Sequence, residues 1–281
     1  MEKLFTKGWK DYELIDAGGG KKLERWGEVI TIRPELQAYF KSGLPFPKWN
    51  DMAHWEYKEN DKGVGKWKKL NENAPEVWSI GYKNLTFELA LTKFKHLGLF
   101  PEQAINWQHI SEQFSGKKRV LNLFAYSGAA SAVAKASGGD VVHVDSVKQL
   151  ISWAKRNMVL SGLQDIRWVH DDALKFAQRE VKRGTKYDLV IMDPPAWGVG
   201  VKNEKWNIED KLPELIDLAY QLVDVKGTLI MNTYTPKVTN EDILGIAELF
   251  FGEKNCHLNE LWMKTTSQKD LYFGLLLRAR K

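Results

Sequence analysis

"YDLVIMDPPAWGVG", residues 187–200, is an apolar run that stops at Asp193-Pro194-Pro195-Ala196-Trp197. The run reads as a buried strand. Prolines cannot donate to a sheet ladder, so the strand ends where they begin. Asp193 is then left at the strand's carboxyl edge, the edge at which open parallel sheets bind ligands. The neighbouring sequence says which sheet. From residue 117 the strand-like runs RVLNLFA, DVVHVD, IRWVH, YDLVIMD and GTLIMNTY alternate with helix-like runs. The latter are GAASAVAKAS, SVKQLISWAKRNMVLSG, DDALKFAQREVKRG and IEDKLPELIDLAYQLVDVKG. This alternation specifies an α/β fold, a parallel sheet covered on both faces. Gly162, Gly184 and Gly227 each follow a helix, where a left-handed cap residue belongs. After one more helix, EDILGIAELFFG, the runs CHLNELWMKT and DLYFGLLLRAR are joined only by TSQKD. So short a link makes them an antiparallel pair.

Residues 1–93 have another rhythm, that of a smaller strand-rich domain. YELIDAGGGKKLERWGEVITIRP and EVWSIGYKNLTFELALT read as short strands, with a turn at Asp16–Gly20. Between them, KSGLPFPKWNDMAHWEYKENDKGVGKWKKLNENAP is rich in Pro, Gly, Asn and Lys and reads as a long surface segment. Five of the twelve tryptophans lie in the first 70 residues: Trp9, Trp26, Trp49, Trp55 and Trp67. Trp beside Lys can stack nucleobases next to phosphates; the reading preferred here is that the indoles pin the core of a small domain. Residues 94–116 form a connecting segment. In LGLFPEQAINWQHISEQF, Pro101 and Glu102 open a helix whose apolar face is Ala104, Ile105, Ile110 and Phe114. Residues 117–281 are the α/β domain.

Composition narrows the partners. The net charge is +5 from 41 Lys and Arg against 36 Asp and Glu, a mild excess compatible with a phosphate-rich partner as well as with an ordinary solvated surface. The single cysteine, Cys256, makes no intrachain disulfide and no thiolate metal cluster. With no apolar stretch of membrane-spanning length and no signal-peptide core at the N-terminus, a cytoplasmic location without membrane association is expected. The six histidines lack metal-ligand spacing, so no metal is expected.

The carboxyl edge carries the ligand signal. LNLFAYSGAAS, residues 121–131, is a strand, a turn of small residues and a helix, which lets a ligand approach the backbone at the helix N-terminus. Only Gly128 is a glycine, so the dinucleotide fingerprint G-x-G-x-x-G and its diphosphate cradle are missing. The next strand ends at Asp145, placed to bind both hydroxyls of a ribose. The third ends in Asp171-Asp172-Ala173. Either acid could accept from an adenine amino group, and Asp172 could equally cap the following helix. The fourth ends at Asp193. Acids at three successive strand ends on one edge favour a nucleoside ligand without phosphate. A ribose, an adenine and an acidic cleft suited to a sulfonium fit S-adenosyl-L-methionine.

In NLFAYSGAAS, HVDSVKQLISWAKRN, DDALKF, YDLVIMDPPAWG and FKHLGLFPEQAINW, the sequence resembles class I S-adenosylmethionine-dependent methyltransferases. More narrowly, it is similar to the bacterial large-subunit ribosomal-RNA methyltransferase group that includes enzymes I and K/L, in a short and largely uncharacterised branch. The resemblance implies a Rossmann-like seven-stranded sheet with an antiparallel last strand. It implies that Asn122, Phe124, Ala125, Tyr126 and Gly128 line the methionine and ribose side. Asp145, with Ser146, would hold the ribose hydroxyls, and Asp172 would meet the adenine amino group beside Ala173. Phe100 and Gln103 would close over the cofactor. Asp193, Pro194 and Pro195 would face the transferred methyl.

Methyl transfer is an in-line displacement, so much of its rate can come from positioning. Hydrogen bonds from a base's exocyclic amine to Asp193 and to the Pro194 carbonyl would free the nitrogen lone pair. Trp197 either stacks on an extruded base or lids the sheet edge. Methylation of cytosine at C5 needs a thiolate nucleophile. LIMNTYTPKV after the fifth strand has none, and Cys256 reads as an inert buried thiol. The expected reaction is therefore methylation of a base nitrogen in ribosomal RNA, with Asn232 and Tyr234 as candidate target contacts. The alternatives are a small-molecule or protein methyltransferase and, in another class, a non-catalytic RNA-binding protein. Oligomeric state is left open.

Overall fold

A computed structural model describes residues 1–60, 65–114, 116–199 and 205–281. The N-terminal elements are β1 (Lys3–Phe5), β2 (Tyr12–Gly18), β3 (Lys21–Trp26), β4 (Val29–Pro34), α1 (Phe46–Met52), β5 (Trp55–Glu59), β6 (Gly65–Lys69), β7 (Val77–Tyr82) and β8 (Leu85–Ala90). A 3-10 turn at Pro101–Gln103 leads into α2 (Ala104–Gln113). Then come β9 (Arg119–Leu123), α3 (Ala129–Ala136), β10 (Asp140–Asp145), α4 (Lys148–Leu160), β11 (Arg167–His170), α5 (Ala173–Lys182) and β12 (Tyr187–Met192). The chain finishes with β13 (Trp197–Val199), β14 (Lys205–Asn207), α6 (Ile208–Leu222), β15 (Val223–Thr233), α7 (Asn240–Phe251), β16 (Cys256–Lys264) and β17 (Asp270–Arg280).

The large sheet runs β1-β16-β17-β15-β12-β9-β10-β11. Its centre is parallel, with Leu123 beside both Met192 and Val144, and Asp145 beside His170. β15 is parallel to β12, whereas β17 is antiparallel to β15. The expected seven strands with a reversed last strand are all present, and β1 adds an eighth beside β16. The central strands are apolar on both faces because helices cover both: Val120, Leu121, Val144, Leu189 and Val190 are buried. Phe176, Leu215, Ile216, Leu229 and Leu277 share one core that joins the sheet to α5 and α6.

The chain divides into two compact units. One comprises residues 1–4, 105–261 and 274–281, and the other residues 5–104 and 262–273. The tip of the β16–β17 hairpin thus groups with the N-terminal residues. That second unit holds a five-stranded sheet, β2-β3-β4-β5-β6, and the pair β7-β8. Its indoles are core: Trp26 and Trp49 are fully buried, and Trp55 and Trp9 nearly so. Trp67 is half-buried and donates to the Thr92 carbonyl. The glycine turn forms between β2 and β3, with Gly19 and Gly20 at φ 58° and 76°.

Two expectations need correction. Residues 41–75 are not one surface segment, because α1, β5 and β6 lie within them and bury Trp49, Trp55 and Tyr57. Large aromatics at those positions outweigh the polar composition; residues 61–64 of that stretch lie outside the described residues. Gly227 is not a helix cap. It is inside β15, and the left-handed residue is Lys226, at φ 67°. A Cβ on Gly227 would meet the Asp224 and Val223 side of its own bend at 2.9 Å, so close approach explains the glycine. Gly162 and Gly184 are left-handed after α4 and α5, at φ 65° and 67°.

Candidate active site

The turn between β9 and α3 is held in an unusual conformation. Phe124 and Tyr126 are left-handed without being glycine, at φ 56° and 51°. Such residues persist only where their surroundings fix them. Here the Ala125 N–H donates to the Val144 carbonyl, the Tyr126 N–H to Asp145 Oδ2 at 2.9 Å, and Asn157 Nδ2 to the Ser127 carbonyl. Gly128 follows at φ 86°, where a Cβ would lie 2.9 Å from that of Ala154 on α4. The turn is therefore clamped to the end of β10 and to α4.

Asp145 is the hub of this edge. It is buried, and Oδ1 accepts from the Val147 N–H at 2.8 Å. Burial raises its carboxyl above the usual range, opposed by the Val147 and Tyr126 N–H groups. A carboxylate has about four acceptor sites, so two backbone bonds leave capacity for a pair of hydroxyls. Ser146 is half-buried, and its carbonyl lies 3.1 Å from His170 Nε2. Asp172 caps α5, its Oδ1 accepting from the Lys175 N–H at 2.9 Å. Ala173 beside it is buried. Asp171 is ion-paired with Arg179.

At the end of β12, Asp193 is half-buried, Pro194 buried, and Pro195 and Ala196 exposed. Trp197 is 67% exposed, so its ring lies open to solvent instead of lidding the edge. It begins a short hairpin, β13 with β14, in which Trp197 faces Asn207. Gly200, the last residue of the opening stretch, lies outside the described residues. Trp206, which composition did not single out, is the pin of this loop. Its Nε1 donates to the Pro195 carbonyl at 2.6 Å, and its ring packs on Phe124 with centroids 5.0 Å apart. The sequence signal is an indole just before a helix cap, Asn207, whose side chain accepts from Glu209 N–H.

Parallel register brings Phe124–Gly128, Asp145–Ser146, Asp172–Ala173 and Asp193–Trp197 to one rim of the sheet. Asn122 lies deeper. It is buried and donates to Ser131 Oγ at 2.9 Å, which lies 3.0 Å from His143 Nδ1. Burial lowers the His143 pKa to about 3, so this chain of polar groups is neutral and supports the turn from below. Asn157 was equally hidden; a polar residue on the apolar face of α4 beside Ala154 and Met158 is its only sequence signal. Phe100 and Gln103 belong to the N-terminal unit, Phe100 stacking edgewise on His96 and Gln103 buried. Asn232 is buried against Asn106, its Oδ1 accepting at 3.2 Å, which removes it as a target contact; Tyr234 is exposed. Cys256 is buried, and burial raises its thiol to about 11, so it carries no thiolate at neutral pH. Among the described residues no group of His, Cys, Asp and Glu could hold a metal ion, and no helix is long and apolar enough to cross a membrane.

An adenosine-bearing sulfonium fits these groups. The rim offers a buried carboxylate to the hydroxyls of a ribose, and an acidic edge suits a cationic sulfonium. Residues 53–245 match the family model of S-adenosylmethionine-dependent methyltransferases, and the chain belongs to that family. It is 33% identical to the SAM-dependent methyltransferase from Agrobacterium tumefaciens, with a TM-score of 0.94 over 100% of this chain and 93% of that one. It is 28% identical to the ribosomal RNA large subunit methyltransferase K/L of Shewanella frigidimarina, over 78% of this chain and 32% of that protein. The chain thus spans about a third of the length of the curated relatives it matches. TYW2 of M. jannaschii, solved in complex with AdoMet, shares the fold at 11% identity and a TM-score of 0.52, over 89% of this chain and 95% of that one.

Proposed function

We propose that this methyltransferase modifies a base nitrogen of ribosomal RNA. The observation that carries the reading is the Asp193–Trp197 loop. A carboxylate ends β12 beside the turn that shapes the cofactor edge, and an exposed indole follows four residues later. The similarity to ribosomal RNA large subunit methyltransferases supports the choice of RNA. The buried, protonated Cys256 thiol argues against a covalent route through cytosine C5.

Asp145 would hold the ribose hydroxyls, Phe124–Gly128 the methionine side, and Asp172 with Ala173 the adenine. S-adenosyl-L-methionine, when bound, supplies an electrophilic methyl group. The chain's own work is to place the nucleophile. Trp197 stacks on the base, and Asp193 accepts a hydrogen bond from its exocyclic amine. That bond draws the lone pair out of the ring and gives the proton released on methylation an acceptor at a carboxylate oxygen. Pinning of Pro195 by Trp206 keeps the loop in place while this happens.

Mass spectrometry of ribosomal RNA from a deletion strain beside wild type tests the reading. One methylated nucleotide should disappear, return on complementation, and fail to return with Asp193→Ala. Unchanged ribosomal RNA, with methyl label passing instead to protein or small metabolites, would overturn it.

A further inference from the structure

The opposite rim of the sheet, where β9 and β15 begin, holds a second concentration of polar groups. Because β17 is antiparallel, it ends there. Its Arg278 and Arg280 pair with Ile230 and Thr228 and, two apart, point to the same face. Lys118 precedes β9, Lys226 occupies the left-handed bend in β15, and His257 is the second residue of β16. With His109 of α2 these residues line a cleft of about 330 Å³ to which no Asp or Glu contributes.

The protein leaves this charge uncompensated. None of the four Lys and Arg side chains makes an ion pair among the described residues. Arg278 Nη2 donates to Asn106 Oδ1 at 3.0 Å and approaches the Ile105 carbonyl at 3.5 Å. Its buried Nε–H has no acceptor, and Nη1 makes no hydrogen bond to a described residue. Burial lowers the pKa of Arg278, and Glu112, held by Gln108, opposes this only from a distance. His109 is lowered to about 4 by burial and by Arg278, so it is neutral and the positive charge is that of the Lys and Arg groups. Lys118 Nζ caps the Gln113 carbonyl at the end of α2, which leaves Lys226, Arg278 and Arg280 to face the cleft. A half-buried arginine whose buried Nε–H has no acceptor gains from an anion that completes it, and a planar guanidinium beside further cations suits a phosphate group.

We infer that this cleft is a phosphate-binding site, and that the phosphate is one in the backbone of the substrate RNA, away from the methylated base. The choice of RNA rests on the function proposed above; the phosphate chemistry does not.

Lys226 and Arg280 are both exposed, so Lys226→Gln with Arg280→Gln removes charge without disturbing the core. Binding of a labelled single-stranded RNA oligonucleotide is measured against salt, alongside the thermal shift given by inorganic phosphate and calorimetric affinity for S-adenosyl-L-methionine. The double variant should bind RNA on the order of tenfold more weakly. Its log–log salt slope should be shallower by about 0.7, the value for one single-strand backbone phosphate no longer neutralised. It should also lose the phosphate shift and keep its methyl-donor affinity. Arg278→Lys, which keeps the charge and loses the fork, should weaken the phosphate shift as well. A phosphate shift that is lost in the variant while RNA affinity and slope stay unchanged would confirm the phosphate chemistry and overturn the RNA source. No shift in wild type together with unchanged RNA binding would overturn the site. Should ribosomal RNA prove not to be methylated, the phosphate arm still decides the site by itself.

Discussion

Asp145 shows how much one carboxylate can be asked to do. Its two backbone bonds, one to each oxygen, fix its orientation and leave acceptor capacity on the carboxylate. Asp145→Asn should weaken S-adenosyl-L-methionine binding roughly 10- to 100-fold, the worth of about 1.5–3 kcal/mol in charge-assisted hydrogen bonds. Calorimetry reads this directly. Since burial raises its pKa, wild-type affinity should begin to fall on acidification at a higher pH than an ordinary aspartate would give, as protonation removes the acceptor. Glu102, buried in the N-terminal unit, has a related signature. Burial lifts its pKa to about 7. The folded state thus holds the proton more tightly than the unfolded chain does. The stability this gives is fully present below the unfolded value and is lost as pH rises through about 7. Urea unfolding across that range should show a shallower decline for Glu102→Gln than for wild type.

At the scale of elements, β13 and β14 matter more than their length suggests. They are three residues each, too short to be stable alone. Trp206 fixes them to the sheet through Pro195 and Phe124. Trp206→Phe keeps the ring and deletes the indole donor. We expect kcat to fall on the order of tenfold, from about 1–1.5 kcal/mol of lost positioning, with methyl-donor affinity unchanged. Single-turnover methylation with calorimetry separates the two. Equal loss of affinity would show that the hairpin serves the cofactor instead of the target. The same elements mark how far sequence could see. The β12 strand and its proline stop were legible, because periodicity and the missing proline N–H are local properties. The hairpin was not, because β13 and β14 have no apolar alternation of their own, and their pairing depends on a contact eleven residues along the chain.

For the whole molecule, the feature that composition hid is a discontinuous unit. Asp16 is fully buried and accepts from Ala17, Gly43 and Leu44 N–H groups, from the Trp49 indole and from the Ser267 hydroxyl. One carboxylate thereby ties β2 and α1 to the tip of the β16–β17 hairpin. Burial pushes its pKa up, but Ser267 and the three N–H groups outweigh that and hold it below the usual range. It contributes stability above the unfolded pKa that is lost as pH falls through the lower folded value. Asp16→Ala strands several buried donors and should cost about 3 kcal/mol, read as a lower urea midpoint. By the same reasoning, residues 5–104 expressed without the hairpin tip should lack fixed tertiary packing, visible as a lost near-ultraviolet circular dichroism signal.

The sequence by itself determined the parallel sheet, its reversed last strand and the row of acids at one rim. Strand period, helix caps and proline stops act within a few residues, and a parallel sheet then forces its strand ends to one edge. Tertiary structure alone decided what lies deeper or farther along the chain. It turned Asn122 inward to Ser131, set Trp206 under Pro195, joined Ser267 to Asp16 and gathered Arg278 and Arg280 beside Lys226. Each of those pairings depends on the register between elements far apart in the chain, which close packing settles and local periodicity does not encode.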